Sequence, residues 1–154
     1  MINKAMSLYL DTSVIGGYFD KEFERDTRLL FQKIKEGEYI VFISDLVEDE
    51  LENAPERVKK ILDELDYKLI EITPECRTLA GEYIKEKVVG EASSDDCTHI
   101  ATATINGIDF LVSWNFKHIV NVNRIKGYNS VNTKNGYKHL EIRSPKDMGV
   151  YDDE

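Results

Sequence analysis

Proline and cysteine are scarce, three and two respectively in 154 residues, and each scarcity excludes a class of protein. A disulfide-stapled secreted scaffold needs dense cysteine. Cys76 and Cys97 have no CxxC spacing, so they read as buried free thiols in a reducing compartment, not as a disulfide or a zinc site. No Pro-rich linker and no internal repeat is present, and no apolar run reaches the length of a membrane span. The stretch MINKAMSLYLDTS has too short an apolar region before Asp11 for a secretory signal, which sets the expectation of a cytoplasmic protein.

Positive charge is also in short supply. There are 20 Lys+Arg against 29 Asp+Glu, a net charge of -9, and that balance speaks against a partner held through its phosphates. The distribution softens the argument: residues 1–115 carry 13 basic against 24 acidic side chains, whereas residues 116–146 carry 7 against 1. The basic segment reads either as a phosphate-binding surface or as a solvated loop and edge strand.

What is present suits a globular fold. At 42% hydrophobic and 32% charged residues, the chain can bury a core as one domain, residues 1–154. Apolar runs at 8–10, 39–43, 68–72 and 110–112 alternate with helical periodicity over 23–34, 46–65 (around Pro55), 74–88 and 94–105. This alternation predicts a three-layer α/β/α sandwich with a central parallel sheet of four to five strands. Ser44 and the Ser93–Asp96 stretch SSDD read as helix N-caps, and Pro74 sits where a first turn tolerates it. NVNRIKGYNSVNTKNGYK, residues 121–138, is rich in Asn and Gly and reads as loop; residues 140–143 read as a last edge strand.

Asp11 ends the first apolar run, where a carboxylate is costly unless something charged or hydrogen-bonding meets it. Further acids follow the second strand in SDLVEDE and open a helix in SSDD, and Asn115 follows the fourth strand in FLVSWN. In an open parallel sheet these positions lie at the carboxyl ends of the strands, where ligands bind. Oxygen ligands gathered there suit magnesium or manganese, not zinc. His99, one helical turn after Asp95 and Asp96, reads as a structural hydrogen-bond partner for either. Trp114 and Phe116 read as packing residues, with base stacking as the functional alternative.

The pieces LYLDTSVIGGYF, FISDLVEDEL, DDCTHIATATINGIDFLVSWNFKH and GYKHLEIRSPKDM together resemble the PIN-domain family, which includes the VapC-like ribonuclease toxins of type II toxin-antitoxin pairs. The resemblance implies a Mg- or Mn-dependent endoribonuclease acting on RNA, with a small antitoxin protein as partner and a homodimer as assembly. It selects Asp11, Glu50 (over Glu48) and Asp96 (over Asp95) as catalytic residues. Asp11, Asp96, Asn115 and Glu50 are the implied metal ligands, Asn115 standing where the family usually has Asp. Ser13 and Ser113 are left to hydrogen-bond a phosphate or orient Asp11. Two other functions compete: a PIN scaffold that binds RNA or protein without cutting, and a haloacid-dehalogenase-type phosphatase. The phosphatase needs a second acid two residues after the first, and Ser13 occupies that place.

Overall fold

The computed structural model describes residues 5–150. Its centre is a five-stranded sheet, parallel throughout, built from β1 (Met6–Leu10), β2 (Tyr39–Ser44), β3 (Tyr67–Ile70), β4 (Phe110–Val112) and β5 (Glu141–Arg143) in the order β3-β2-β1-β4-β5. The strand order reverses at β1, so a crevice opens between the carboxyl ends of β1 and β4. β1 can occupy the middle because Leu8, Tyr9 and Leu10 are all fully buried.

Eight helices are described: α1 (Thr12–Gly17), α2 (Glu24–Lys35), α3 (Asp45–Glu50), α4 (Glu56–Glu64), α5 (Pro74–Lys85), α6 (Ser94–Ile105), α7 (Val122–Lys134) and α8 (Pro145–Val150). α5 packs on α6 and α7, while α2 packs on α1 and α8, giving the two helical layers of an α/β/α sandwich. The helices form for local reasons. α2 buries Thr27, Leu30, Phe31 and Ile34 on one stripe and ends in Lys33 and Lys35, which complement the helix dipole. Ser44 caps α3 by accepting from the Val47 amide, and Thr73 caps α5 ahead of Pro74.

Three expectations are corrected. The helical stretch 46–65 is two helices, because Pro55 offers no amide and forces an extended residue between α3 and α4. SSDD does not cap α6 by a side chain; a 3-10 turn, Glu91–Ser93, leads into it instead. Residues 121–138, expected as loop, hold the longest helix of the described chain, α7. Asn129 and Asn132 are buried hydrogen-bond partners, and Asn121 and Asn135 sit at the helix ends. Asn121 caps the helix on the amides of Asn123 and Arg124. Asn129 exchanges two hydrogen bonds with the Leu140 backbone, at 3.0 and 2.7 Å. Asn132 accepts from the Tyr83 hydroxyl and donates to Asn129. Gly127 is there for closeness, since a Cβ would stand 2.7 Å from Val88. Gly136, at φ +84°, ends α7 in the left-handed conformation that glycine adopts without strain.

Candidate active site

The register that pairs Leu10 with Val112 sets Asp11 and Ser113 side by side at the crevice. Asp11 is the N-cap of α1, accepting from the Val14 amide at 3.3 Å, and its exposure is only 4%. Both oxygens are held. Ser13 donates to Oδ1 and Ser113 to Oδ2, each at 2.6 Å. The two serines in turn accept from the backbone amides of Trp114 and Asn115, both at 2.9 Å. Each serine's one O–H is thereby spent on Asp11, while its oxygen accepts a backbone amide. Burial nevertheless raises the Asp11 pKa above the usual carboxylate value, against the His99 charge and the three hydrogen bonds.

Asp96 enters from the first turn of α6, partly buried, while Asp95 is exposed. Its pKa is raised too, first by burial and next by the charge of Asp11, with Glu50 adding to it; His99 and His118 pull the other way. Asn115 completes this side. Its Nδ2 donates to Asp96 at 3.3 Å, and its Oδ1 accepts from the amides of Lys117 and His118. The amide oxygen expected to meet a cation is therefore occupied in capping the turn that follows β4, and the group facing Asp96 is a donor.

Glu50, at the end of α3, is placed by a chain of hydrogen bonds. Its Oε1 meets His99 Nε2 at 2.7 Å and accepts from Thr12 at 2.9 Å. Burial raises its pKa, but the His99 contact and the Thr12 bond outweigh that, and the net shift is downward. An ionised Glu50 can only accept, so His99 Nε2 carries hydrogen. On the other side of the ring Nδ1 meets the Tyr9 hydroxyl at 2.6 Å, and that hydroxyl meets Ser44 Oγ at 2.7 Å. Ser44 closes the loop by accepting from the Val47 amide of the same helix that carries Glu50. One buried tyrosine from β1 thus ties both ends of α3 to α6. The expected pairing of His99 with Asp95 or Asp96 is corrected: its ring bonds Glu50 and Tyr9.

Tyr9→Phe tests this tie. Removing the hydroxyl leaves His99 Nδ1 without its partner in the core and Ser44 with only its bond from the Val47 amide, which is expected to lower stability by about 1–3 kcal/mol in chemical denaturation, with the slope of unfolding unchanged.

Among the described residues, no group of three or more His, Cys, Asp or Glu side chains stands ready to hold a metal ion. The donor set that the crevice offers is smaller: Asp11 and Asp96, two desolvated carboxylates each held on an element end. That fits a hard, hydrated cation of the magnesium type, which takes one or two protein carboxylates and retains its waters. It does not suit zinc, because Cys97 is buried with its thiol pushed up to about 12 by burial and the Asp96 charge. Sequence reasoning missed Tyr9 and Thr12, which no motif marks, and His118, whose signal was its place three residues after Asn115. His118 Nδ1 is buried without a partner among the described residues.

Comparison with known proteins agrees with this architecture. The family model described as PIN domain matches residues 8–117, from β1 through the turn after β4. Among solved structures, one titled as VapBC2 from Rickettsia felis bound to a DNA fragment from their promoter superposes with a TM-score of 0.56 at 18% identity. The match covers 90% of this chain and 98% of that one. No curated protein matches. At that identity the structural likeness speaks for the fold alone, but the family model spans well over half of the chain. Its match runs through Asp11, Glu50, Asp96 and Asn115, the residues brought to the crevice, and the chain belongs to the PIN-domain family.

Proposed function

We propose that this chain is a magnesium- or manganese-dependent endoribonuclease, the toxin of a type II toxin-antitoxin pair, acting on RNA and held in check by a small antitoxin protein. The observation that carries the reading is the pairing of Asp11, buried, with Asp96, partly buried, at the reversal of strand order, the charges of Asp11 and Glu50 adding to burial in raising the pKa of Asp96. Such a pair is unfavourable by itself and favourable around a cation.

Asp11 and Asp96 would hold the ion. When bound, it supplies neutralising charge to the scissile phosphate and a more acidic water. The rest is done by the protein's own groups. Ser13 and Ser113 fix both Asp11 oxygens, so its carboxylate is preorganised without cost at the moment of reaction. Glu50, held ionised by His99 and Thr12 through Oε1, is positioned to accept a proton from water at its other oxygen. Asn115 anchors Asp96 from the β4 side. A homodimer is the assembly we propose, following the family resemblance.

RNA cleavage should vanish with chelator and fall roughly 10²–10³-fold in Asp11→Asn, the scale of one lost preorganised electrostatic contact. Activity that survives both treatments would overturn the assignment. A second reading, a scaffold that binds RNA without cutting, is favoured by one feature: Asn115 turns a donor toward Asp96 where a further ligand is expected. Manganese calorimetry separates the two, since only the nuclease has a binding site that Asp96→Ala abolishes.

A further inference from the structure

The two edges of the sheet carry opposite charge. β3 forms one edge and β5 the other, with three strands between them. Beside β3 lies a groove of about 580 Å³, lined from α3, α4 and β3. Leu51 and Leu62 line it, nearly covered, and its charged lining is five carboxylates, Glu52 and Asp63 among them, against one cation, Lys59.

At β5 the sign is reversed. A cleft of about 390 Å³ is lined by Val120, Val122, Ile125 and Ile142, with Arg143 beside them. It falls in the segment 116–146, which has 7 basic against 1 acidic residue, and Lys126 and Lys146, both exposed, are chain neighbours of its lining. Its one carboxylate, Asp147, accepts from the Ser144 amide at 3.1 Å.

The uncovered apolar surface is divided in the same way. Among the described residues, the two large apolar side chains most open to solvent are Val122, 75% exposed, and Leu69, 54% exposed. Val122 lines the basic cleft. Leu69 follows Tyr67 by two residues on β3, so both point to one side of the strand, and Tyr67 lines the acidic groove. A lone exposed leucine or valine would mean little. Here each stands at a cavity whose charge has one sign. With a net charge of -9, copies of this chain repel one another in most orientations. The approach that brings the β5 edge of one copy to the β3 edge of another is attractive.

We propose that copies of this chain associate head to tail: Leu69 at the β3 edge of one enters the aliphatic cleft at the β5 edge of the next, while Lys126 and Lys146 of the second meet Glu52 and Asp63 of the first. Such a contact is heterologous. It uses a different surface on each copy and leaves one of each uncovered, so further copies add where a two-fold pair would close. It is therefore separate from the homodimer proposed above, and it does not depend on the nuclease reading. The crevice lies between β1 and β4, away from both edges, and stays open in every copy. Two small charged faces make a weak, transient contact.

The test is the size of the full-length protein in solution, read by sedimentation velocity over a range of concentrations. The wild type should grow with concentration past two copies without reaching a plateau. Reversing the groove, Glu52→Lys with Asp63→Lys, should abolish that growth. Reversing the other edge, Lys126→Glu with Lys146→Glu, should do the same, each pair weakening the contact roughly a hundredfold. Mixing the two variants should restore growth, because each reversed face then meets one of opposite sign. Leu69→Ser should weaken the contact with all charges intact. These side chains are exposed, so thermal melting should match the wild type. A wild type that stays at one or two copies at every concentration would overturn the proposal, as would growth that either reversal leaves unchanged, or a mixture that stays small. Copies that remain apart would leave the acidic groove as a site for another, basic protein. No cleavage is read, so the outcome stands whether or not the chain is a nuclease.

Discussion

Asp96→Asn is expected to stabilise the metal-free protein and, at the same time, to remove its affinity for manganese and its cleavage activity. The opposition of these effects follows from one cause. Burial, Asp11 and Glu50 all disfavour the ionised form of Asp96, so its pKa in the folded protein lies above the ordinary 3.8. A carboxylate with a raised folded pKa binds its proton more tightly folded than unfolded. Its contribution to stability is thus fully present below about pH 3.8 and is lost as pH rises through the raised value. At neutral pH the wild-type protein carries that loss in full, and so does Asp11, whose shift has the same direction. The neutral amide of Asn at position 96 relieves it. A gain on the order of 1 kcal/mol is the usual scale for such relief at a functional site, which for a chain of this length is a rise of a few degrees in Tm. Adding manganese should reverse the ranking, raising the Tm of the wild type and leaving the variant where it was. Differential scanning calorimetry with chelator and with manganese, across the acid range, reads all of this. A variant that is less stable than wild type in chelator at neutral pH would contradict the view that these carboxylates repel one another.

The second large effect is expected from packing alone. Gly17→Ala places a Cβ 2.8 Å from both Cδ1 and Nε1 of Trp114 and 3.0 Å from the Thr27 hydroxyl. Neither neighbour can move aside freely. The indole is stacked against Phe23 on one side and bonded to Thr27 through Nε1, and Thr27 itself donates to the Phe23 carbonyl at 2.7 Å. One methyl group therefore has to push a wedged ring or break a buried hydrogen bond, at a cost of about 1–3 kcal/mol for the overpacking and a further ~1 kcal/mol for the bond. Urea unfolding should show a lower midpoint. Since the same indole follows Ser113, and its amide donates to Ser13, cleavage should fall as well, by more than the change in folded fraction explains. Wild-type stability in Gly17→Ala would mean that the indole has room that the packing denies it.

Much of the architecture was legible because hydrophobic period is a local property. The strands around Leu8–Leu10, Tyr39–Ile43 and Phe110–Val112 were visible as short apolar runs, and α2, α5 and α6 as stripes of helical spacing. α7 was hidden for a physical reason. Its buried face is built from Asn129 and Asn132 as much as from Tyr128 and Val131, and asparagine in a helix signals a loop until the partners that satisfy it, Leu140, Tyr83 and Thr104, are in place. The partner of His99 was hidden in the same way. Spacing along a helix pointed to Asp95 and Asp96, yet Glu50, 49 residues away, was brought to the ring by the packing of α3 beside the sheet.

By itself, the sequence determined the alternation of strands and helices, the placing of acids at strand ends, and the excess of negative charge up to Asn115, because each depends only on residue type and spacing. Tertiary structure decided which atoms of those residues are free to act. Whether Ser13 faces a phosphate or Asp11, and whether Asn115 offers its oxygen or its amide, depend on hydrogen-bond partners distant in the chain. A polar atom in a protein interior is defined by what satisfies it, and only the folded chain supplies that partner.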